Sequence, residues 1–414
     1  MEFKIELPED VKYIISEIER KGLQAYAVGG CVRDTLLGKT PDDWDITTSA
    51  LPAQIKSFFK KTIDTGIAHG TVTVMLNGNG YEVTTYRIDG EYKDGRHPES
   101  VEFSVRLTDD LCRRDFTINA MAYNDTTGLV DEYEGIKDLE NKVIRCVGDP
   151  VARFTEDALR MMRAIRFSAQ LGFDIDPSTY QAILTLAPNI NKVSMERVCV
   201  EFRKTIMSDN PELCRLYAET GLFKDILPVL NDTLSGRYAR RILLTTKYIK
   251  KIPALRFAAI LSGCTPEEAE KTLHLLKMDN KTTDIVKKIL QFHKEDISET
   301  EPAVREALHK YGKELMDYIF EFLFAEIQAG EEITFITNPA KRKHILTLKR
   351  LCRDILDRGD CFTLKDLDIT GNDLMEYGLS GADIGKTMNN LLSVVIENPK
   401  LNDKATLIAL IDNL

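Results

Sequence analysis

The chain has 414 residues, 43% of them hydrophobic and 29% charged, and a formal net charge of −10. Its length predicts more than one domain, and its acidity argues against a protein that coats nucleic acid, because phosphate contacts need Lys and Arg. The start, MEFKIELPED, has no signal-peptide pattern and no apolar run could span a bilayer, so we expect a cytoplasmic protein without a membrane partner. Eight scattered cysteines, none in a C-x-x-C pair, predict reduced and mostly buried thiols.

The first predicted elements are a helix, a strand and a glycine turn. Pro8–Lys21 carries apolar residues at helical spacing. Ala25–Val28 is a continuous apolar run that predicts a buried strand. It ends at Gly29-Gly30, where the backbone can adopt positive φ and approach a ligand closely. A short helix follows and ends near Gly38.

Two acids, Asp43 and Asp45, come next with one residue between them. If this segment is a strand, its period of two places both carboxylates on one face. Like charges so placed repel each other unless a divalent cation lies between them, and hard oxygen ligands favour Mg²⁺ with a nucleoside triphosphate. A lone D-x-D is usually a solvated strand face and a lone Gly-Gly an ordinary turn. Their occurrence together, in this order, is what predicts a site.

The stretch Ala25–Thr48 resembles the signature GG-x-VRD-x-LLG followed by D-x-D-I-x-T of the class II nucleotidyltransferases, the family of tRNA CCA-adding enzymes and bacterial poly(A) polymerases. The resemblance implies an α+β fold with a polymerase β-like mixed-sheet head and an all-α remainder. It implies nucleotide binding by Gly29, Gly30 and Arg33. The four expected parts are a catalytic head (1–150), a neck with a nucleotide-selecting helix (151–215), a body (216–290) and a tail that contacts tRNA (291–414).

The remainder of the predicted head is a helix, a hairpin and a polar loop. Leu51–Lys60 is typical of a helix, and two β-patterned runs joined at Asn77–Gly80 predict an antiparallel hairpin. Glu82 lies on the second of these strands, where the resemblance to the wider superfamily implies the third metal-binding carboxylate; an exposed strand glutamate is the alternative. Asp89–Glu99 is too polar to bury and predicts a mobile loop. In the family, a loop here is associated with addition of the final A.

Leu111–Ala122, LCRRDFTINAMA, begins with two arginines and an acid and is predicted to continue as a helix. A positive pair at a helix start beside a metal site suits a triphosphate. The segment resembles the family motif RRDFTxNA, which implies that Arg113 and Arg114 contact phosphates and that Asp115 accepts from ribose hydroxyls. Asn119, one helical turn on, can also reach the nucleotide. Asp131–Gly135 fits the family's D-x-x-x-G hinge.

The segment Phe154–Phe167, FTEDALRMMRAIRF, predicts one helix. Asp157 and Arg160 are expected about 60° apart beside its apolar stripe, and Arg163 and Arg166 continue its cationic side as further candidate nucleotide-binding residues. A helix salt bridge is the ordinary interpretation, but the segment resembles the family's base-selecting motif E-D-x-x-R. Cytosine and adenine both offer an amino donor beside an unprotonated ring nitrogen. A carboxylate and a guanidinium can therefore bind C and A and reject U and G.

The rest of the chain is predicted to be helical. Val193–Arg197 and the residues after it resemble the family's last neck motif and are expected to brace the selecting helix. Two basic runs predict either solvated helix faces or RNA contacts. They are Arg237, Arg240, Arg241, Lys247, Lys250 and Lys251, and Lys341, Arg342, Lys343, Lys349, Arg350 and Arg353.

The glycines of Leu367–Asn398 resemble the tail segment by which bacterial CCA-adding enzymes bind tRNA, although glycine turns between helices can also serve packing alone.

The sequence thus predicts an Mg²⁺-dependent, template-independent enzyme, a monomer or homodimer, that adds CCA to tRNA from CTP and ATP. Asp43, Asp45 and Glu82 are its expected catalytic and metal-binding residues. Partial CC or A addition stays open, as does poly(A) polymerase, although Thr65–Gly70 departs from the G-R-R-F segment of that branch. A non-catalytic RNA-binding protein would be expected to lose these acids, and a small-molecule nucleotidyltransferase has no use for Asp157 and Arg160.

Overall fold

The computed structural model describes residues 4–90, 101–293 and 295–411, and residue contacts divide the chain into two compact units, Met1–Asp232 and Thr233–Leu414. The first unit carries the β-structure and the second is helical. The four-part division expected from the sequence remains a prediction. No helix in the described ranges combines the length and apolar character needed to cross a membrane.

A seven-stranded mixed sheet forms the centre of the first unit, in the order β3-β4-β5-β2-β1-β8-β9. Within it, β2 runs parallel to β5, and the other neighbouring pairs are antiparallel. Separate two-stranded ladders join β6 to β7 and β10 to β11. The strands are β1 Ala25–Val28, β2 Ile46–Thr48, β3 Thr62–Gly66, β4 Thr71–Leu76, β5 Asn79–Thr85, β6 Arg87–Asp89, β7 Val101–Phe103, β8 Met121–Asn124, β9 Gly128–Asp131, β10 Val143–Ile144 and β11 Asp174–Ile175.

Helices surround the sheet and build the whole second unit. Those up to residue 232 are α1 Glu9–Glu19, α2 Gly30–Leu36, α3 Pro52–Phe58, α4 Leu107–Cys112, α5 Gly135–Asn141, α6 Pro150–Glu156, α7 Leu159–Leu171, α8 Pro177–Leu186, α9 Met195–Ile206 and α10 Arg215–Glu219. The others are α11 Pro228–Ser235, α12 Ala239–Tyr248, α13 Pro253–Ile260, α14 Pro266–Leu275, α15 Asn280–Phe292, α16 Glu301–Thr334, α17 Pro339–Arg358, α18 Gly371–Glu376, α19 Ala382–Glu397 and α20 Lys404–Ile411.

The sequence predicted the first elements correctly. All four residues of β1 are buried, as expected of a central strand that is apolar on both faces. The apolar face of α1 is buried in contact with β1, and β4 and β5 form the predicted antiparallel hairpin. The predicted loop Asp89–Glu99 lies mainly outside the described residues; its flanking strands pair with each other.

The helix predicted over Leu111–Ala122 is wrong. α4 ends at Cys112, Phe116 is extended and forms a bridge with Cys146, and the segment enters the sheet as β8. The reason is tertiary: the Phe116 side chain is fully buried in the core, so the chain leaves the helical path. The arginine pair therefore follows the C-terminus of a helix, the end at which cations are stabilised.

The single helix predicted over Phe154–Phe167 is also wrong, because the chain contains two helices there, α6 and α7. Asp157 lies between them in an extended conformation, with φ −138°. Its Oδ1 accepts a hydrogen bond from Leu159 N (3.0 Å) at the start of α7. Asp is well suited to such a position because its carboxylate can satisfy a free N–H at a helix start. The predicted 60° spacing between Asp157 and Arg160 therefore does not apply.

The second unit has its own apolar core. One cluster contains buried residues of α18, α19 and α20, including Leu374, Leu391 and Leu407. Arg305, almost fully buried on α16, donates to Ile396 O (2.6 Å) and to Asp360 (3.0 Å) and so joins α16 to this cluster. All eight cysteines are free and six are buried, as predicted.

Candidate active site

The glycine turn after β1 is shaped by its backbone. Gly29 has φ 84°, which disfavours any side chain, and its N–H donates to Met121 O over 3.1 Å. A Cβ at this position would lie 2.8 Å from Nη1 of Arg114. The turn therefore brings bare backbone against an arginine at the point where α2 begins with Gly30.

The predicted acidic residues lie on or just before two neighbouring strands, Glu82 within β5 and the other two before β2. Asp43 and Asp45 precede β2 rather than lie in it, although Asp45 O still accepts from Val28 N (2.9 Å). Because Ile46 pairs with Val83 in the parallel β2–β5 ladder, Asp45 and Glu82 are the residues immediately before a matched pair. Successive side chains alternate between faces, so these two carboxylates lie on the same face of the sheet.

The three carboxylates interact electrostatically. Burial in the surrounding protein and the charge of Asp43 raise the pKa of Asp45 to about 6; Arg114 opposes this shift and Glu82 adds to it. The side chains keep solvent access. Within the described ranges, no three His, Cys, Asp or Glu side chains form a ready-made metal cage. Three carboxylates that repel one another are nevertheless hard oxygen donors suited to a divalent cation, which would relieve their repulsion.

A buried acid that the sequence analysis missed holds the arginine pair. Asp110 is inaccessible to solvent; its Oδ1 accepts from Arg113 (2.7 and 2.9 Å) and its Oδ2 from Arg114 Nη2 (3.3 Å) and the Thr47 hydroxyl (3.0 Å). Burial opposes ionisation, but the two arginines lower the pKa of Asp110 overall. Because Thr47 lies two residues after Asp45, Asp110 links the arginines to the acidic end of β2. The sequence did contain a signal for this contact, because Asp110 precedes Arg113 by three residues and Arg114 by four, the spacing at which side chains meet on a helix.

Asp115 and Asn119 form a second polar chain. Asp115 is buried; its Oδ2 accepts from Arg163 Nε (2.7 Å), and its Oδ1 accepts from Phe116 N (2.9 Å) and Asn119 Nδ2 (3.3 Å). Asn119 Oδ1 in turn accepts from Arg33 Nη1 (2.6 Å). The structure thus brings together four predicted residues from α2, the segment before β8 and α7.

The selecting pair, Asp157 and Arg160, is held by protein partners. Asp157 Oδ2 accepts from Arg197 Nη2 over 2.8 Å. Arg160, largely buried, donates to Glu156 Oε2 (2.8 Å) and to Arg113 O (3.0 Å). The two side chains are not paired with each other, and Arg160 contacts the backbone of a predicted phosphate-binding arginine.

α9 supports α7 in the way that the sequence predicted for a bracing motif. Besides the Arg197–Asp157 pair, Glu201 on α9 lies 2.9 Å from Arg166 Nε and 4.0 Å from Arg163 Nη1. Both members of the Arg166–Glu201 pair are buried. The arginine side of α7 is therefore fixed from two directions, by Asp115 and by α9.

The three parts of the chain match known families. Residues 25–145 match the model of the "Poly A polymerase head domain", residues 172–234 that of the "Probable RNA and SrmB- binding site of polymerase A", and residues 250–411 that of tRNA nucleotidyltransferase domain 2. The first match contains every predicted metal ligand and the arginine pair.

Curated relatives and a solved structure agree with these matches. The chain is 37% identical to the CCA-adding enzyme of Pediococcus pentosaceus, with 98% of each chain covered. It is 39% identical to that of Latilactobacillus sakei, over 91% of this chain and 90% of the relative. It is also similar to the Bacillus stearothermophilus CCA-adding enzyme solved in complex with CTP, with TM-score 0.76 and 30% identity over 97% of this chain and 95% of that one.

Proposed function

The chain belongs to the family of bacterial CCA-adding enzymes, and we propose that its head builds the tRNA 3′ end from CTP and ATP by Mg²⁺-dependent nucleotidyl transfer. It is a tRNA nucleotidyltransferase with a mixed-sheet head and a helical remainder. The observation that carries the residue assignments is the strand register that places Asp45 and Glu82 next to each other on one face of the sheet, with Asp43 two residues before Asp45. The charges of Asp43 and Glu82 help to raise the pKa of Asp45, and mutually perturbed acids are typical of a catalytic centre.

Asp43, Asp45 and Glu82 would hold the divalent ions. Their carboxylates are hard oxygen donors, which favours Mg²⁺ over softer metals. When bound, the ions supply activation of the RNA 3′-hydroxyl and charge stabilisation for the departing pyrophosphate. The protein's own part is to present the carboxylates from adjacent strands on one face of a rigid sheet.

The arginine pair and the glycine turn would bind the triphosphate. Asp110 holds the side chains of both Arg113 and Arg114, and the planar fork of N–H donors on a guanidinium matches the oxygens of a phosphate group. Because Gly29 has no Cβ, the Arg114 guanidinium can lie directly against the backbone of the turn. A positive site anchored in this way places the α-phosphate for attack without reorganisation of its donors.

Asp157 and Arg160 would read the base. Asp157 accepts one bond at each oxygen, and Arg160 uses three of its five N–H donors on the protein. Both therefore keep capacity to accept from an amino group and to donate to a ring nitrogen. A uracil or guanine edge would leave like groups facing each other, at a cost of about 1–3 kcal/mol per contact.

The test uses purified protein and tRNA that ends at the discriminator base, with CTP and ATP given singly and together. The wild type should add two C and then one A. Asp43→Asn and Asp45→Asn should each lower incorporation by at least about 10³-fold, while the affinity for tRNA stays close to wild type. Asp42→Asn, at the exposed neighbouring position, is the control and should retain activity.

Other outcomes separate the alternatives. Arrest after CC, or addition of A only to tRNA that ends in CC, would indicate a partial enzyme. Long A tracts would indicate a poly(A) polymerase. Full turnover by Asp45→Asn would contradict the assignment of the metal-binding acids.

A further inference from the structure

Three arginines converge on one aromatic ring, that of Phe167 on α7. The guanidinium carbons of Arg33, Arg163 and Arg166 lie 5.1, 5.4 and 4.1 Å from the ring centroid. Arg33 comes from α2, beside the glycine turn, whereas the other two come from α7. The ring is only 6% exposed, so the cations meet it away from bulk water, where cation–π attraction is strongest.

Each cation also has an acidic partner. Arg33 makes a bidentate ion pair with the acid that follows it in the chain, with 2.9 Å for both hydrogen bonds. Arg163 donates to a buried acid over 2.7 Å, and Arg166 lies 2.9 Å from an acid on α9. These partners compensate the net charge, but they approach the arginines from different elements. The shared contact of all three guanidiniums is the Phe167 ring. The acidic partners are Asp34, Asp115 and Glu201.

The ring itself is fixed. Phe167 packs edge-to-face on Phe116, with 5.7 Å between centroids and 80° between planes. Phe116 is completely buried and directly follows Asp115 in the chain. The position of the ring is thus set by the segment that carries the predicted phosphate-binding and ribose-binding residues.

We propose that Phe167 is a positioning residue for nucleotide binding: its π system holds Arg33 of α2 and Arg163 and Arg166 of α7 in one arrangement, so that two parts of the nucleotide site keep a fixed position relative to each other. The inference rests on the proposed function and on the nucleotide-binding role that the sequence analysis expects of these arginines. A residue needed only for apolar volume could be replaced by leucine, which has no quadrupole. An electrostatic role requires an aromatic ring.

The experiment measures KM and kcat for CTP on tRNA ending at the discriminator base and for ATP on tRNA ending in CC. Phe167→Leu should raise both KM values by about tenfold, the scale of one or two lost cation–π contacts, with kcat changed less than about twofold. Phe167→Tyr should restore KM. Fluorinated phenylalanines at position 167 keep the ring and weaken its quadrupole, so KM should rise with each added fluorine.

The matched control is Phe223→Leu. Phe223 is completely buried, and its ring packs on two aromatic rings, edge-to-face on Phe202 (5.2 Å between centroids) and stacked on Tyr217 (4.7 Å). This variant should lose thermal stability and keep KM. The inference fails if Phe167→Leu loses stability but keeps KM, or if fluorination leaves KM unchanged. If the wild type itself adds no CCA, the proposed function fails instead.

Discussion

Arg197 donates to Asp157 over 2.8 Å, across 40 residues of sequence. Because the other oxygen of Asp157 accepts from Leu159 N at the start of α7, both oxygens of this carboxylate are held. A carboxylate with fixed lone pairs can accept only from a donor at one place. The pair thus connects the bracing motif on α9 to the acid that we propose reads the incoming base.

Arg197→Gln should therefore weaken base selection more than it weakens turnover. With one oxygen released, Asp157 can turn towards other base edges, and discrimination of CTP over UTP should fall about tenfold. Single-nucleotide incorporation with each of the four nucleotides measures this. Arg203→Gln, at an exposed position of the same helix, is the control and should leave the ratio unchanged. Equal ratios in the two variants would contradict the bracing role.

Gly29→Ala should cost both stability and nucleotide affinity. Alanine at φ 84° and ψ −128° is strained by about 1–3 kcal/mol, and its Cβ would lie 2.8 Å from Nη1 of Arg114, which would have to move. Gly38→Ala is the control, because Gly38 also has a positive φ, 71°, but no heavy atom lies within 4 Å of the added Cβ. We expect both variants to lose stability in denaturant titration, Gly29→Ala more than Gly38→Ala, and only Gly29→Ala to have a higher KM.

Asp110→Asn should uncouple the arginine pair. Removing one member of a buried ion pair leaves uncompensated charge and costs about 3 kcal/mol or more. Arg113 and Arg114 lose their common acceptor, so the KM for both nucleotides should rise as well. Asp109→Asn is the neighbouring control: Asp109 pairs with the exposed Arg106 and accepts from the Ser104 hydroxyl, neither of them part of the proposed site, so this variant should lose less stability than Asp110→Asn and keep KM. Denaturant unfolding and steady-state kinetics give both quantities.

Asp115 makes the stability of the folded protein depend on pH in the acidic range. Burial opposes its ionisation, but Arg163 above all lowers its pKa to about 2, from 3.8. When folding lowers the pKa of an acid, its contribution to the free energy of unfolding is complete above the unfolded pKa, at pH ~4, and is lost as the pH falls towards 2. Asp115→Asn should thus lose roughly 2 kcal/mol at pH 7, and the difference from wild type should be about half as large at pH 3. Asp174→Asn, at an exposed position, should show no such change.

Local patterns predicted the first elements correctly for physical reasons that act over a few residues. A run of four apolar residues must be buried, and β1 is. Glycine at a positive φ needs no distant partner, so the turn at Gly29 could be predicted. The hairpin of β4 and β5 followed from alternation and a turn containing Gly78. The family motifs added the expected site residues.

The two wrong helix predictions show what local sequence patterns cannot predict. Phe116 is extended because its ring fills a core made by distant residues, and Asp157 interrupts a helix because Arg197 and Leu159 N hold its two oxygens. Neither partner is implied by helical spacing. Asp110 was missed for the same reason, since burial decides that its charge must be neutralised by both arginines.

The sequence by itself determined the family, the first elements of the head and the residue types that carry the chemistry, because these depend on composition and short spacing. The tertiary structure decided which charges meet: Asp45 beside Glu82 through strand register, Asp110 beneath Arg113 and Arg114, and three arginines around Phe167. Such pairings depend on burial and on the packing of distant segments, which set the strength of every electrostatic interaction in the site.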